Sequence, residues 1–160
     1  MGNLFLSRQL NQYLKLSNGG TAVLIDTLML SLSDHAETLW EKRFAQWFGE
    51  HDQHIYGIGT VGFELDEIGW LANSFDRQKQ FILKAVDVAS NQHRWGDLNY
   101  RPADFMTGYI KAFGLMIHLF EETSIKSANS WTHIEGHFEL CPKHHVYMHT
   151  YGCVICNNMT

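Results

Sequence analysis

The chain has 160 residues, of which 45% are hydrophobic and 13% aromatic, and its formal net charge is −5. This length and composition supply one sizeable core, and the negative charge argues against a protein whose main task is to grip nucleic-acid phosphates. The sequence has neither the roughly 18 to 20 consecutive apolar residues of a membrane helix nor an N-terminal secretory pattern, so we expect a cytoplasmic protein without a membrane partner.

The first predicted elements are helical. Residues 4–16 place leucines at approximately helical spacing, and the sequence Asn18-Gly19-Gly20 would end that helix. Residues 21–32 fit two interpretations, because their alternating leucines are typical of a strand whereas a stripe that begins at Ile25 has helical spacing. The length of the run favours a helix.

Two contrasting segments follow. Ser33 or Asp34 is a candidate cap for a helix that runs through Phe48 and ends at Gly49. Residues 55–68 then combine glycines with β-branched and aromatic residues, a pattern that predicts extended structure with bends. This segment is the expected strand region outside the C-terminal tail.

Two further helices are predicted before the tail. Strong helical periodicity starts at Asn73 or Ser74 and ends near Asn91. A second periodic run begins at Pro102 and continues to about Glu122. The polar residues 124–130 are expected to form a loop.

The most informative motif lies near the C-terminus, where Cys141-Pro-Lys-His144 is followed by Cys153-Val-Ile-Cys156. Two Cys-x-x-(Cys/His) turns separated by a short linker can direct four ligands at one tetrahedral Zn²⁺ ion. Four protein ligands leave no open coordination position, so we expect a structural zinc ion rather than a catalytic one. Three reduced cysteines also suit a reducing compartment.

Neighbouring histidines leave one ligand of this site open. His144 has the same spacing from Cys141 as Cys156 has from Cys153, but His145 is its main rival, and His137 and His149 are also near in sequence. Residues 138–140 and 146–148 are able to pair as a hairpin that carries the first turn. The expected fold is therefore α+β, with a mainly helical domain (1–130), a short strand region, and a zinc-stabilised hairpin in a tail (131–160) packed on the domain.

The charged residues are unevenly distributed. No lysine or arginine occurs between Arg43 and Arg77. This window is either an ordinary solvated face or an acidic surface that meets a basic partner. Its carboxylates are Glu50, Asp52, Glu64, Asp66, Glu67 and Asp76.

Sequence motifs argue against an enzyme. A nucleophilic cysteine would have to be one of the three assigned to zinc, and a G-x-S-x-G elbow, a P-loop and an H-E-x-x-H motif are absent from the sequence. The tail from Thr123 onward has two lysines against two glutamates, so its formal charge is zero. Without a positive groove, the aromatic residues Trp131, Phe138, Tyr147 and Tyr151 are expected to form a small core around the metal.

Four stretches together resemble a known class of protein: Gly59–Trp70, Phe75–Phe81, Cys141–His144 and Cys153–Asn157. The first two, combined with the tail, resemble small acidic immunity proteins encoded beside bacterial polymorphic toxins. The tail separately resembles zinc ribbons of the Cys-Pro-x-His type, although His145 stands where such a turn often has glycine.

The resemblance implies a non-catalytic immunity protein that binds and neutralises a cognate toxin by direct contact. Because toxins that attack nucleic acids are commonly basic, Glu64, Asp66 and Glu67 would form a docking surface with Trp70 as its anchor. The alternative is a zinc-containing regulatory or nucleic-acid-associated module.

Overall fold

A computed structural model of the chain describes residues 3–125, 131 and 136–158. The fold is α+β and mainly helical, as predicted. Single helical turns at residues 54–56, 65–67, 72–74, 95–97 and 122–124 connect the main elements. Those elements are β1 (Leu4–Ser7), β2 (Gln12–Lys15), α1 (Asn18–His35), α2 (Leu39–Gly49), α3 (Phe75–Ser90), α4 (Met106–Leu119) and α5 (Val154–Asn158).

The predicted helix over residues 4–16 is wrong, because this segment forms the antiparallel hairpin β1–β2. Asn11 adopts a left-handed φ of 51° and closes the turn by donating its amide to the carbonyl of Arg8 at 3.1 Å. Phe5 is fully buried and packs edge-on against Phe63 and Phe113. Leucine fits either periodicity, so the burial of Phe5 selects the strand.

Residues 21–32 belong to α1, which lies at the centre of the molecule. Every residue from Leu24 to Ser33 is buried, and α1 packs against α2, α3 and α4. A helix that is enclosed on all sides needs no polar face, which explains why its sequence pattern fitted both a helix and a strand.

The helix that follows α1 starts later than predicted. Asp34 lies within the last turns of α1, and α2 is instead capped by Thr38, whose side chain accepts the Glu41 amide at 3.1 Å. The Glu41 carboxylate reciprocates by accepting the Thr38 amide, which makes a capping box. The predicted end at Gly49 is confirmed.

The region expected to be extended, residues 55–68, contains only isolated bridges and two helical turns. Gly57 and Gly59 have φ values of 75° and 86°, so the chain reverses before a ladder can form. The backbone then approaches β1 so closely that a Cβ at Gly62 would lie 2.1 Å from a carbonyl oxygen of β1. The amide of Leu6 in β1 donates to Phe63 at 2.9 Å.

Helices α3 and α4 lie close to the predicted ranges and pack against each other. A Cβ at Gly114 would lie 2.6 Å from a methyl group of Val86, so glycine permits the close approach of the two helices. The chain after Pro102 first makes a tight turn, in which Met106 donates to Ala103 at 2.9 Å, and α4 begins only there. Most of the predicted loop at residues 124–130 lies outside the described residues.

The tryptophans occupy the core rather than the surface. Trp70 is 2% exposed and donates its indole N–H to Leu65 at 3.0 Å, so it is not available as an exposed anchor. Trp131 packs against Trp40 and Trp47 and is likewise part of the main core, not of a separate core around the metal ligands. In the described ranges, no helix has the length and apolar character required to cross a membrane.

Candidate metal centre

The first ligand-bearing turn sits in the predicted hairpin. Cys141 donates its amide to Val146 at 2.8 Å, and Met148 donates to Glu139 at 2.9 Å, which confirms the pairing of the two flanks. Between them, His145 has φ of 54° and donates its amide to Cys141 at 2.8 Å. His145 therefore adopts the left-handed conformation that glycine supplies in related turns, and the turn closes in the usual way.

The second turn is built by a reversal and a short helix. His149 and Gly152 exchange amide hydrogen bonds of 2.9 and 3.0 Å, and Gly152 has φ of 103°. Cys153 follows immediately, and α5 carries Cys156 to the same side. The two turns are alike: the amide of His144 lies 3.5 Å from the Cys141 sulfur, and the amide of Cys156 lies 3.5 Å from the Cys153 sulfur.

These two turns bring together the four predicted ligands, Cys141, His144, Cys153 and Cys156, whose ligand atoms all lie within 4.8 Å of one another. The Nδ1 atom of His144 lies 3.9, 3.6 and 3.2 Å from the sulfurs of Cys141, Cys153 and Cys156 respectively. The sulfurs of Cys141 and Cys156 are 3.8 Å apart. Cys156 is half-buried and the other three residues are buried, so the cluster is a candidate metal site shielded from solvent.

The structure separates His144 from its three rivals. His145 is exposed on the outside of the first turn. The side chain of His137 is 86% exposed and pairs with Glu139. His149 is buried but donates its Nε2–H to Asp52 at 2.9 Å. Among the described histidines, His144 is therefore the one that reaches the cysteines.

The pKa values of the three cysteines favour a cation in this cluster. Burial raises the pKa of both Cys153 and Cys156, because charged thiolates are costly away from water and repel one another. Burial acts in the same direction on Cys141, but hydrogen bonds from the amides of His144 and Lys143 outweigh it and lower its pKa. A bound divalent ion would hold all three cysteines as thiolates.

Arg94 connects the first turn to the helical domain, which the sequence did not predict. Arg94, itself at φ of 56°, donates to the carbonyl of His144 at 2.7 Å. The same guanidinium donates to Asp34 at 3.1 Å and to Asp97 at 2.7 Å. Hydrogen bonds to its charged partners raise the pKa of Arg94, although burial opposes this. Arg94 therefore links the ligand-bearing turn to α1.

A second feature missed by sequence reasoning is the buried carboxylate of Asp52, which is 3% exposed. It accepts hydrogen bonds from His149 at 2.9 Å, from Asn157 at 2.6 Å, and from both the amide and the ring of His54. Burial would raise the pKa of Asp52, but these donors outweigh it and hold the pKa well below its ordinary value. We call this group the Asp52 hub (Asp52, His54, His149 and Asn157).

The orientation of His149 in the Asp52 hub follows from both ring nitrogens. Its Nδ1 accepts the amide of Tyr151 at 3.2 Å, so its proton is on Nε2 and points at Asp52. His149 comes before Cys153 in the chain, and Asn157 directly follows Cys156. The Asp52 hub therefore contacts the segment that carries Cys153 and Cys156 at both of its ends.

The acidic residues predicted to bind a partner lie around one helical turn, residues 65–67, rather than along a strand. Glu67 is exposed and Asp66 is half-buried. The side chain of Glu64 is 19% exposed and lies 3.5 Å from the guanidinium of Arg8. The turn thus keeps an acidic surface, but Arg8 offsets part of its charge.

Comparison with protein-family models, with curated proteins and with solved structures finds no match for this chain.

Proposed function

We propose that the Cys141–His144–Cys153–Cys156 cluster binds one Zn²⁺ ion with a structural role. The observation that carries this proposal is the fit between the interatomic distances in the cluster and a tetrahedral site. Zinc bonds of about 2.3 Å to sulfur and about 2.0 Å to nitrogen place two sulfurs about 3.8 Å apart and a sulfur and nitrogen about 3.6 Å apart. The sulfurs of Cys141 and Cys156 are 3.8 Å apart, and the three sulfur–nitrogen distances range from 3.2 to 3.9 Å.

The ligand set supports zinc and a structural role. Three thiolates and one imidazole suit a borderline-soft ion that favours tetrahedral coordination. All four positions are taken by protein ligands, which leaves none for a water or a substrate. Elemental analysis of the protein from its native cells should find one zinc per chain, and cobalt substitution should produce thiolate-to-metal charge-transfer bands. Stoichiometric iron or an octahedral cobalt spectrum would overturn the assignment.

For the function of the whole chain, our proposal is an immunity protein that neutralises a basic toxin by direct contact. The window between Arg43 and Arg77 has no lysine or arginine and carries the turn at residues 65–67. A cluster of carboxylates attracts a positively charged partner and rejects partners of the same sign. The closed ligand set of the metal site fits a binding protein rather than a metalloenzyme.

The contacts around the acidic turn refine its proposed role. Because Trp70 is buried, docking would depend on Glu67, Asp66 and Glu64, with no contribution from an exposed tryptophan. Arg8 already pairs with Glu64, so the partner would have to replace or share that ion pair. Electrostatic docking of this kind affects the association rate and its salt dependence most strongly.

Charge reversal tests the acidic turn. The triple variant Glu64→Lys, Asp66→Lys and Glu67→Lys should weaken binding of the toxin while leaving the fold intact. A control with equal net charge reverses three exposed carboxylates outside the window, Asp87, Glu121 and Glu122. The turn variant should slow association at low salt much more than the control does. Equal effects of the two variants would remove the acidic turn from the model.

The partner itself can be identified by capture of the tagged protein from its native cells at low and moderate salt. Recovery of one basic protein at about equal stoichiometry would support immunity by direct inhibition. Recovery of nucleic acid that disappears as salt rises would favour the zinc-containing nucleic-acid-associated module instead.

A further inference from the structure

Helix α4 has an apolar side that the rest of the described chain leaves exposed. Its buried side packs on α3 and α1 through residues such as Ile110 and Phe113. On the other side, Phe105 is 68% exposed, Leu115 56% and Leu119 39%. A surface helix normally presents polar residues to water, so an apolar outer face marks a contact site.

The hairpin β1–β2 extends this surface. Strand β2 lies against α4, and its outward side chains include Tyr13, which is 70% exposed, and Lys15. Leu10 in the turn of the hairpin is 36% exposed. Half of the exposed large apolar side chains in the described residues lie on this surface, which we call the α4 face: Leu10, Tyr13, Phe105, Tyr109, Leu115 and Leu119.

The spacing along α4 matches a helical partner. From the residue before α4 to its end, apolar residues that are exposed or half-buried recur at intervals of four, three, three and four, so that every second one is seven residues apart, as in a heptad seam between two helices. They span about 21 Å, or roughly four turns. The residues of this seam are Phe105, Tyr109, Ala112, Leu115 and Leu119.

Two recesses lie beside the seam and could receive the side chains of such a partner. One, of about 340 Å³, lies between α4 and β2 and is lined by Tyr13, Ala112 and Leu115 among others. The other, of about 470 Å³, is lined by Phe105 and Tyr109 together with Lys15 and Arg101. Tyr109 and Ala112 of the seam thus line one recess each.

The charge of the α4 face is opposite to that of the whole chain. The net charge is −5, yet neither the hairpin Leu4–Lys15 nor the helix Met106–Leu119 contains an aspartate or a glutamate. Lys15 and Lys111 are exposed, and no ion pair to either is found within the described residues. The carboxylate nearest to this surface in the sequence, Asp104, pairs with Arg101 at 3.7 Å.

We propose that the α4 face binds an amphipathic helix of a partner protein that carries acidic side chains beside its apolar stripe. The heptad spacing of the seam and the two recesses beside it indicate that the partner is a helix. Lys15 and Lys111 indicate that acidic residues flank the apolar stripe of that helix. This surface does not include the metal ligands or the acidic turn, so it is independent of the proposed immunity function.

Two synthetic peptides of about 14 residues probe the α4 face. Both carry leucine at heptad spacing, and they differ only in having glutamate or lysine at the flanking positions. The acidic peptide should bind at least about tenfold more tightly than the basic one, as measured by fluorescence anisotropy, and this preference should shrink as salt rises.

Variants of exposed residues test the location, since none of them removes a core contact. The pair Phe105→Ser and Tyr109→Ser should weaken binding of the acidic peptide at least about tenfold. A control changes two exposed apolar residues elsewhere, Ile55→Ser and Ile58→Ser, and should leave binding unchanged. The pair Lys15→Glu and Lys111→Glu should reverse the preference between the two peptides.

Several results would overturn the proposal: no binding of either peptide, binding that survives Phe105→Ser and Tyr109→Ser, or an equal loss in the control. Concentration-dependent dimerisation that these two substitutions abolish would assign the α4 face to a second copy of the chain. Binding to vesicles of anionic phospholipid that depends on the same residues, without binding of the peptides, would assign it to a membrane surface.

Discussion

The cysteine cluster and the Asp52 hub both bury acidic groups, but their surroundings act on the charged forms of those groups differently. The carboxylate of Asp52 receives hydrogen bonds from three side chains and one amide, and its pKa is low without any cation. The sulfur of Cys153 has one amide contact at 3.5 Å, and burial raises its pKa. The Asp52 hub is therefore complete in itself, whereas the cysteine cluster would need a bound cation to hold its sulfurs as thiolates.

The two sites hold the same piece of chain. His149 and Asn157 of the Asp52 hub flank the second metal turn, and Arg94 supports the first turn at His144. The amide of Tyr147 also donates to Ser33 of α1 at 3.1 Å. Removing the ion and removing the Asp52 hub should therefore have separable effects on one segment.

The largest effect is expected from Cys153→Ser. The variant should release the ion, disorder the tail and lose about 4 kcal/mol of stability at a free zinc concentration a thousand times the dissociation constant. Zinc content and amide hydrogen exchange over residues 141–156 measure the two consequences. His145→Asn is a matched control, since His145 is exposed and asparagine tolerates its left-handed backbone. Stoichiometric zinc in Cys153→Ser would show that the ligand assignment is wrong.

Asp52→Asn should cost about 3 kcal/mol, because an amide cannot accept from all of its present donors and leaves buried N–H groups unsatisfied. Urea unfolding at saturating zinc measures the loss. Zinc should still bind, which separates the Asp52 hub from the metal cluster. Asp87→Asn, at an exposed position of α3, is the control and should change stability little. A loss of zinc with little change in stability would contradict this separation.

Asp26 in α1 is, with Asp52, one of two buried carboxyls among the described residues, and in Asp26 the effect of burial on the pKa outweighs that of the hydrogen bonds. Burial raises the pKa of Asp26 to about 7, although hydrogen bonds from Tyr100 and Asn158 act to lower it. The folded protein therefore keeps a proton on Asp26 at pH values where the unfolded chain has lost it, so stability falls as pH rises towards 7.

Asp26→Asn, which resembles the protonated acid, tests this dependence. Between pH 5.5 and 7.0 the stability of the wild type should fall by about 2 kcal/mol relative to the variant. Burial lowers the pKa of His51 to about 4, but His51 is present in both proteins and cancels in the difference. A difference that is constant with pH would mean that the Asp26 carboxyl titrates normally.

The smallest effect is expected at His145. A residue with a side chain in the left-handed region costs of the order of 1 kcal/mol, so His145→Gly should stabilise the first turn by up to about that amount. His145→Val should do the opposite, because β-branched residues tolerate this conformation poorly. Thermal unfolding of the zinc-bound proteins distinguishes the two. The same sign for both variants would remove backbone strain as the cause.

The predictions from sequence were most accurate for features that depend on residues close together in the chain. Cys141 and His144, like Cys153 and Cys156, are three residues apart, so one turn determines where both ligands point. Helix α3 was predicted for a related reason, since a helix with one solvent-exposed face and one buried face shows the helical period of its apolar residues in the sequence. Helix α1 is buried along most of its length, so the apolar residues of its sequence showed no single period.

The errors came from contacts between distant residues. Residues 4–16 form a hairpin because Phe5 packs on Phe63 and Phe113, and leucine spacing alone does not report this contact. The burial of Trp70 likewise depends on the neighbours that the fold supplies, which include Trp40 and Phe120. An aromatic residue beside carboxylates fits an exposed anchor and a core residue equally well in a sequence.

The sequence by itself determined the mainly helical fold class, the helix α3 and the four residues that form the metal cluster, because local spacing controls each of them. Tertiary structure alone decided that Asp52 joins His149 and Asn157, that Arg94 supports His144, and that α4 keeps an apolar outer face. These features join residues far apart in the chain, and their energies depend on burial and on partners that only the folded chain brings together.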